Sequence, residues 1–321
     1  MELFDVSQLP LPGSQPCVWA IGGGKGGVGK SIITANLAIR LAQMGKSCVA
    51  MDVDLGGANL HTVIGMPSPD YTLTDFLKKK VSSLRDIMVN TPVSNLWLIS
   101  GSRALLEMAN PKYTQKEKII RQLFSLDVDY ILLDLGAGTA FNILDFFLVA
   151  NEGILVILPE PTSVENAYHF IKAAFYRKLK KATKKTGVAE AVDKAMEEKI
   201  ARGIQSPRTL IKNVMDINYQ AGLALKDQAD RFRPNIIINQ TTKVIDQDLG
   251  KDISTACRDY FGIEVRALGN IDEDDHVRKA IRMKTPILEA YPASPFARSI
   301  YNIVDRLLFS KEASYDKRTQ A

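Results

Sequence analysis

Apolar residues in this chain come in short unbroken runs, separated by stretches with helical spacing. Cys17 to Gly22, Ser47 to Met51, Leu96 to Ser100, Asp129 to Asp134, Gly153 to Leu158, Asn235 to Ile238 and Ile263 to Leu268 are such runs. They are too short for helices and apolar at successive positions, which predicts strands buried on both faces. Between them, Ser31 to Met44 places apolar residues at 33, 37, 41 and 44, with Gly45 as its stop. Leu73 to Lys79, Thr114 to Phe124, Val164 to Ala174 and Pro295 to Phe309 read as further helices, the last with Ile300, Val304, Leu307 and Leu308 on one face. Strand and helix in alternation predict an α/β fold, a mainly parallel central sheet with helices on both faces in three layers.

The pattern also sets the organisation. Residues 1–16 hold Pro10, Pro12 and Pro16 without periodicity and read as an extended lead-in, 17–310 as the folded domain and 311–321 as a polar tail. About 60 residues separate the helix after the fifth strand from the sixth strand, more than an ordinary crossover needs. Residues 187–233 read as mostly helical, with Gly203, Pro207 and Gly222 as breaks, so a helical insertion is expected over about 176–234.

The first strand runs into Gly24-Lys25-Gly26-Gly27-Val28-Gly29-Lys30-Ser31, which fits G-x-x-x-x-G-K-[ST] in full and leads into a helix at Ile32. Glycines allow backbone N–H groups to close on phosphate oxygens, and the helix start presents its positive end to the same anion. Lys30 supplies a cation to the terminal phosphates and the Ser31 hydroxyl a ligand for Mg²⁺. Two other strands end in acid. Asp52 and Asp54 follow the second, in the usual ligand crevice of an open α/β sheet; Asp54 also suits a helix N-cap. Tyr130 to Leu133 ends in Asp134, four apolar residues and a carboxylate, as in a Walker B strand whose carboxylate sits beside Mg²⁺. Asn239 closes the sixth strand with an amide able to pair with both edges of adenine.

Composition narrows the classes. The 321 residues carry a mild net charge of +5, which permits an anionic partner without demanding one. From Lys172 to Lys185 stand seven basic residues and no acid, readable as a solvated helix face or as a contact for a membrane surface or DNA. Cys17, Cys48 and Cys257 are too far apart in sequence for a C-x-x-C site, and no apolar run is long enough to span a bilayer. A cytoplasmic protein is expected, with peripheral contact at the inner membrane face.

Lys25, a second lysine inside the loop, makes K-G-G-x-G-K-S, and this resembles the deviant Walker A loop of the MinD/ParA family of P-loop ATPases. Asp52-x-Asp54-x-Gly56-x-x-Asn59 is similar to the family's switch I, and Asp134-Leu135-Gly136-Ala137-Gly138 to its switch II. Pro159-Glu160-Pro161-Thr162-Ser163 resembles the FlhG/FleN branch, regulators of flagellar number and placement, and MinD itself. The resemblance covers about 18–308, the insertion excepted. It implies ATP or ADP with Mg²⁺ on residues Gly24 to Ile32, with Asn239 against the base. It also implies Lys25 reaching the nucleotide of a partner copy in an ATP-bound homodimer, and Asp54 orienting the attacking water. Ser31 and Asp134 would order the metal, with Asp52 behind them. A further protein partner is expected. The chain departs from the branch in two places: residues 1–15 lack a D-Q-A-x-x-L-R segment, and the helical insertion is outside its pattern; it departs from MinD and its relatives in a polar stretch, 310–321, without their apolar stripe. The alternative within the same engine is a ParA-type DNA-partitioning ATPase.

Overall fold

The computed structural model describes residues 15–54, 59–101, 113–184, 207–242 and 247–319. Eight strands form one sheet: β1 (Cys17–Gly23), β2 (Cys48–Asp52), β3 (Val89–Asn90), β4 (Leu96–Ile99), β5 (Tyr130–Ala137), β6 (Glu152–Ile157), β7 (Asn235–Thr241) and β8 (Arg266–Asp272). Their order is β3-β4-β2-β5-β1-β6-β7-β8, parallel throughout except for the edge pair β3–β4. The strands alternate between two buried layers. Val18 and Ala20 of β1, with Ile131, Leu133 and Leu135 of β5, enter one apolar cluster. Trp19 and Ile21, with Leu132, enter the other. Burial on both faces is why these runs read as continuously apolar in the sequence.

Five helices cover the second layer: α1 (Lys30–Gln43), α2 (Leu60–Val63), α10 (Asp275–Arg282), α11 (Ile287–Ala290) and α12 (Pro295–Thr319). The first layer is covered by α3 (Leu73–Leu77), α4 (Tyr113–Leu123), α5 (Phe141–Val149), α6 (Pro161–Lys184), α7 (Pro207–Ile217), α8 (Tyr219–Asp230) and α9 (Leu249–Ala256). The expected three-layer architecture is present.

Several boundaries differ from the sequence expectation. β3 has only two residues, too few for a periodic signal. β8 does not occupy 263–268. It begins three residues later and continues through Gly269-Asn270-Ile271-Asp272, because pairing with β7 persists to Thr241 opposite Asp272 across a bulge beside Gly269. α6 is longer than 164–174 at both ends, with Pro161 in its first turn, where a missing N–H costs nothing. Gly222 is not a break: it lies inside α8, where a Cβ would fall 2.6 Å from the Met215 Cα, so it lets α7 and α8 pack closely. The chain turns instead at Asn218, whose side chain caps α8 by accepting from the Ala221 amide at 3.0 Å. α12 runs ten residues past Phe309, to Thr319. Of the insertion, 185–206 lies outside the described residues, as does 1–14 of the lead-in. Val214, Ala221, Leu225 and Phe232 join the helices on either side of the α7–α8 turn to the first-layer core.

Candidate nucleotide site

β1 ends at the loop, and the loop's glycines have separate reasons to be glycine. Gly29, at φ 96°, precedes α1 as its N-cap, and a Cβ there would lie 2.4 Å from Asn239 Nδ2. No side chain caps α1, so the amides of Lys30, Ser31 and Ile32 form a helix N-terminus open to an anion. Gly24 answers to packing: a Cβ would come within 2.6 Å of the Asn166 backbone in α6. Around Gly26 nothing lies within 4 Å of a Cβ position, so space remains above the loop. Val28 is fully buried and anchors the loop in the second-layer core.

Lys30 is buried, with its ammonium donating to the Lys25 carbonyl at 3.3 Å. Burial lowers its pKa, against the attraction of Asp134 and Asp54. Asp134 is 2% exposed on β5, and Asp52, 1% exposed, is its register partner on β2. The Ser31 hydroxyl donates to Asp134, and Thr34 Oγ1, one helical turn after Lys30, lies 3.4 Å from its Oδ1. Burial pushes both carboxyls above the ordinary carboxylate range, and Asp134 adds repulsion at Asp52. Two buried oxygen donors short of positive charge, with a hydroxyl beside them, fit a hard dication. Asp52 also accepts the amides of Asp54 at 3.0 Å and Leu60 at 3.2 Å, on either side of residues 55–58 in the sequence. Those four residues lie outside the described set. Asn59, not Asp54, precedes α2; a helix start directly after Asp54 would fall on 55–58, outside the described residues. The Asp54 carboxyl lies against Gly136, whose Cβ would be 3.3 Å from Asp54 Cγ. The Gly138 amide donates to the Gly23 carbonyl at 3.3 Å, so the end of β5 and the residue after it touch both Asp54 and the end of β1.

Lys25 behaves differently from Lys30. Its side chain is 49% exposed and meets Glu160 Oε2 at 3.7 Å, just ahead of α6. Asn239 is buried, and its Nδ2 donates to the Val28 carbonyl at 2.9 Å. It holds the loop as well as lining the small adjacent cavity, which Gly29, Ile32, Asp272, Asp274 and Arg278 also line. Gly136 and Glu160 lie in stretches that the sequence singles out, but their contacts with Asp54 and Lys25 do not show there. Asn166 and Thr34 are the neighbours that sequence reasoning misses, and only Thr34 left a signal, four residues after Lys30 on α1.

The basic stretch divides. Arg177 and Lys181 turn inward to Asp145 of α5, as does Lys116 of α4. Arg177 Nε and Nη2 donate to the carboxylate at 2.7 and 2.6 Å, and Lys181 approaches to 2.9 Å. Lys178 donates to the Arg231 carbonyl at 3.4 Å, and burial lowers its pKa to about 8. Lys172 and Lys180 are exposed. The side chain of Lys184, and Lys185 as a whole, lie outside the described residues. Among the described residues, a continuous cationic surface over 172–181 is therefore broken by folding.

A loop amide cradle at the end of β1, a helix N-terminus, a buried lysine and a strand-end Asp beside Ser31 define a P-loop nucleoside triphosphatase. A ParA family profile, described as NUBPL iron-transfer P-loop NTPase, matches residues 16–200. The antiactivator FleN of Pseudomonas aeruginosa is 33% identical over 279 residues, covering 86% of this chain and 81% of that protein. The septum site-determining protein MinD of Helicobacter pylori is 26% identical over 301 residues, covering 93% and 92%. In structure, MinD of Pyrococcus horikoshii, complexed with Mg-ADP, superposes with a TM-score of 0.61 at 22% identity, over 91% of this chain and 96% of that one. The chain belongs to the MinD/ParA family of P-loop ATPases, on the side of its FlhG/FleN-like members. As for iron transfer, the cysteines are not gathered in the fold. Cys17 and Cys48 each stand in register with Tyr130, at the strand ends opposite the loop. Burial pushes the Cys48 and Cys257 thiols up to about 12. Among the described residues no helix is long and apolar enough to cross a membrane.

Proposed function

We propose that this protein is a cytoplasmic ATPase switch that closes into a homodimer on ATP and reopens after hydrolysis. The observation that carries this is the division of labour between the two loop lysines. Lys30 is enclosed beneath the loop, whereas Lys25 points out of it, half exposed. A half-exposed ion pair such as Lys25–Glu160 contributes about 0.2–1 kcal/mol. Lys25 can therefore leave Glu160 for the phosphates of a facing copy.

In this reading, Gly24 to Ile32 cradle the phosphates, with Lys30 balancing the β and γ charge. Ser31 would hold Mg²⁺, with Asp134 and Asp52 behind it; bound there, the ion neutralises charge on the phosphate oxygens. Asp54, braced against Gly136, orients water for in-line attack on the γ-phosphate. Positioning and charge stabilisation supply most of the rate in such chemistry. Asn239 contacts the base with the amide oxygen that Val28 leaves unused. Because Asp54 lies against Gly136, and Gly138 is bonded to Gly23 where the loop begins, nucleotide state sets the shape of the face that meets a partner. Similarity to an antiactivator supports a regulator of assembly or spatial positioning, with flagellar assembly the case the FlhG/FleN resemblance implies.

Lys25→Ala tests the proposal. It should retain ADP affinity within about twofold, as expected when a half-exposed side chain outside the cradle is removed. It should lose both ATP turnover and the ATP-dependent dimer seen by sedimentation. A variant that still hydrolyses ATP at the wild-type rate refutes the mechanism.

A further inference from the structure

A cavity of about 510 Å³ opens at the edge of the sheet, at the amino ends of β4 and β5. β5 runs from there to Asp134 beside the loop, so this cavity and the nucleotide site stand at opposite ends of the sheet. One wall runs from Ser83 to Asn90 of β3, through the short 3₁₀ turn Arg85–Ile87. The other is the end of α4 and the turn into β5, Gln122 to Val128. Trp97 of β4, the register partner of Asn90, lines it as well.

Both walls are fixed. Gln122 Oε1 accepts the Leu84 amide at 2.7 Å, and its Nε2 donates to the Ser82 carbonyl at 3.3 Å, so one side chain ties the two together. Asp86 accepts the amides of Ser82 and Ser83 at 3.1 and 2.8 Å. Leu84, Ile87 and Leu126 are anchored in the first-layer core. The lining groups are another matter. Among the described residues, the exposed side chains of Arg85 and Asp127 make neither an ion pair nor a hydrogen bond, with each other or with anything else. The half-buried Trp97 has no acceptor for its indole N–H, which is not sealed from the cavity. Met88, Leu126 and Val128 complete an apolar lining around the indole.

The size is that of small-molecule sites, about 300–1,000 Å³. The charges cancel, one of each sign on facing walls, so neither an anion nor a cation as such is favoured. A hydrocarbon would leave both charges without a partner, and a polyphosphate would meet Asp127. What matches is a molecule with separated charges of both signs and an apolar body. We infer that this cavity is a second ligand site, for an apolar amino acid or short peptide with free ends. Its carboxylate would meet Arg85, its ammonium Asp127, and its side chain Trp97 and Met88.

Trp97 supplies the readout. The chain has two tryptophans, and Trp19 is fully buried in the other layer, so acrylamide quenching reports on Trp97. The test titrates the full chain with L-leucine and with L-leucyl-L-leucine. Saturable protection from quenching is expected, and the tighter of the two tells whether free amino acids or peptide ends are the ligand. N-acetyl-L-leucine and L-leucinamide, each short of one charge, should bind about fivefold more weakly. Arg85→Gln should weaken leucine by about fivefold and leave leucinamide unchanged; Asp127→Asn should weaken leucine equally and leave N-acetyl-leucine unchanged. Both variants should keep the wild-type thermal midpoint and ADP affinity. Absence of saturable protection by either zwitterion overturns the inference. So does binding that neither substitution weakens, or a loss that is the same for leucine and its two derivatives.

Discussion

Two buried charge clusters lie on opposite layers of the sheet, and they are opposite in balance. At the nucleotide end, Asp52 and Asp134 stand side by side on neighbouring strands, with Lys30 the nearby cation and burial raising both carboxyl pKa values. On the other layer, a single carboxylate, Asp145, receives Lys116, Arg177 and Lys181. Burial would raise its pKa too, but hydrogen bonds from Arg177 and the charges of Lys181 and Lys116 hold it well below the ordinary range. The Arg177 guanidinium also covers the Phe141 ring at 4.6 Å. The first cluster lacks positive charge and so has a use for a ligand. The second is complete without one and joins α4, α5 and α6. A buried carboxylate is thus no sign of function until its partners are counted.

Asp145→Asn should expose the difference most strongly. Removing one member of a buried ion cluster leaves its partners uncompensated and costs about 3–5 kcal/mol. Denaturant unfolding should show this, while ADP binding at low temperature persists. The Asp145 contribution is present above the ordinary carboxylate range and is lost as pH falls through it toward the depressed folded value.

Asp134→Asn should do the reverse. The ligand-free protein should be as stable as wild type or more so, while Mg²⁺-dependent turnover falls by about 10–100-fold. The pH dependence has the opposite sign as well. Raised folded pKa values make the Asp52 and Asp134 contribution full below the ordinary carboxylate range and lost as pH rises from there through about 6 for Asp134 and about 8 for Asp52. Ligand-free protein should therefore melt lower at the alkaline end of that window, and Mg²⁺ with nucleotide should remove the slope. A slope unchanged by Asp134→Asn would break the contrast.

Gly136→Ala is a finer probe. Its Cβ would meet Asp54 at 3.3 Å and push the carboxyl by a few tenths of an ångström. Turnover should fall by about tenfold through misorientation, with nucleotide affinity unchanged. The smallest effect should come from Glu160→Gln, which removes the exposed partner of Lys25 and should change stability by less than about 1 kcal/mol in denaturant titration.

Most of the architecture was legible in the chain. Runs such as Tyr130 to Leu133 are apolar at every position because both faces are covered, and that pattern survives without coordinates. The loop from Gly24 to Ser31 was legible for a related reason: its chemistry is local, set by backbone conformation and a helix start. Boundaries were less so. β8 continues through Gly269 because β7 lies beside it to pair with. Gly222 reads as a helix breaker, although it is demanded by the approach of Met215.

By itself, the sequence determined which strands are buried on both faces, where the P-loop lies and which acids end the strands, because short-range geometry and burial leave a local mark. Tertiary structure alone decided what each charge is for. It set Asp52 beside Asp134, matched Asp145 with cations from two other helices, and sent Lys25 outward while enclosing Lys30. A charge interacts through space with partners far away in sequence, and burial multiplies that interaction; neither leaves a pattern along the chain.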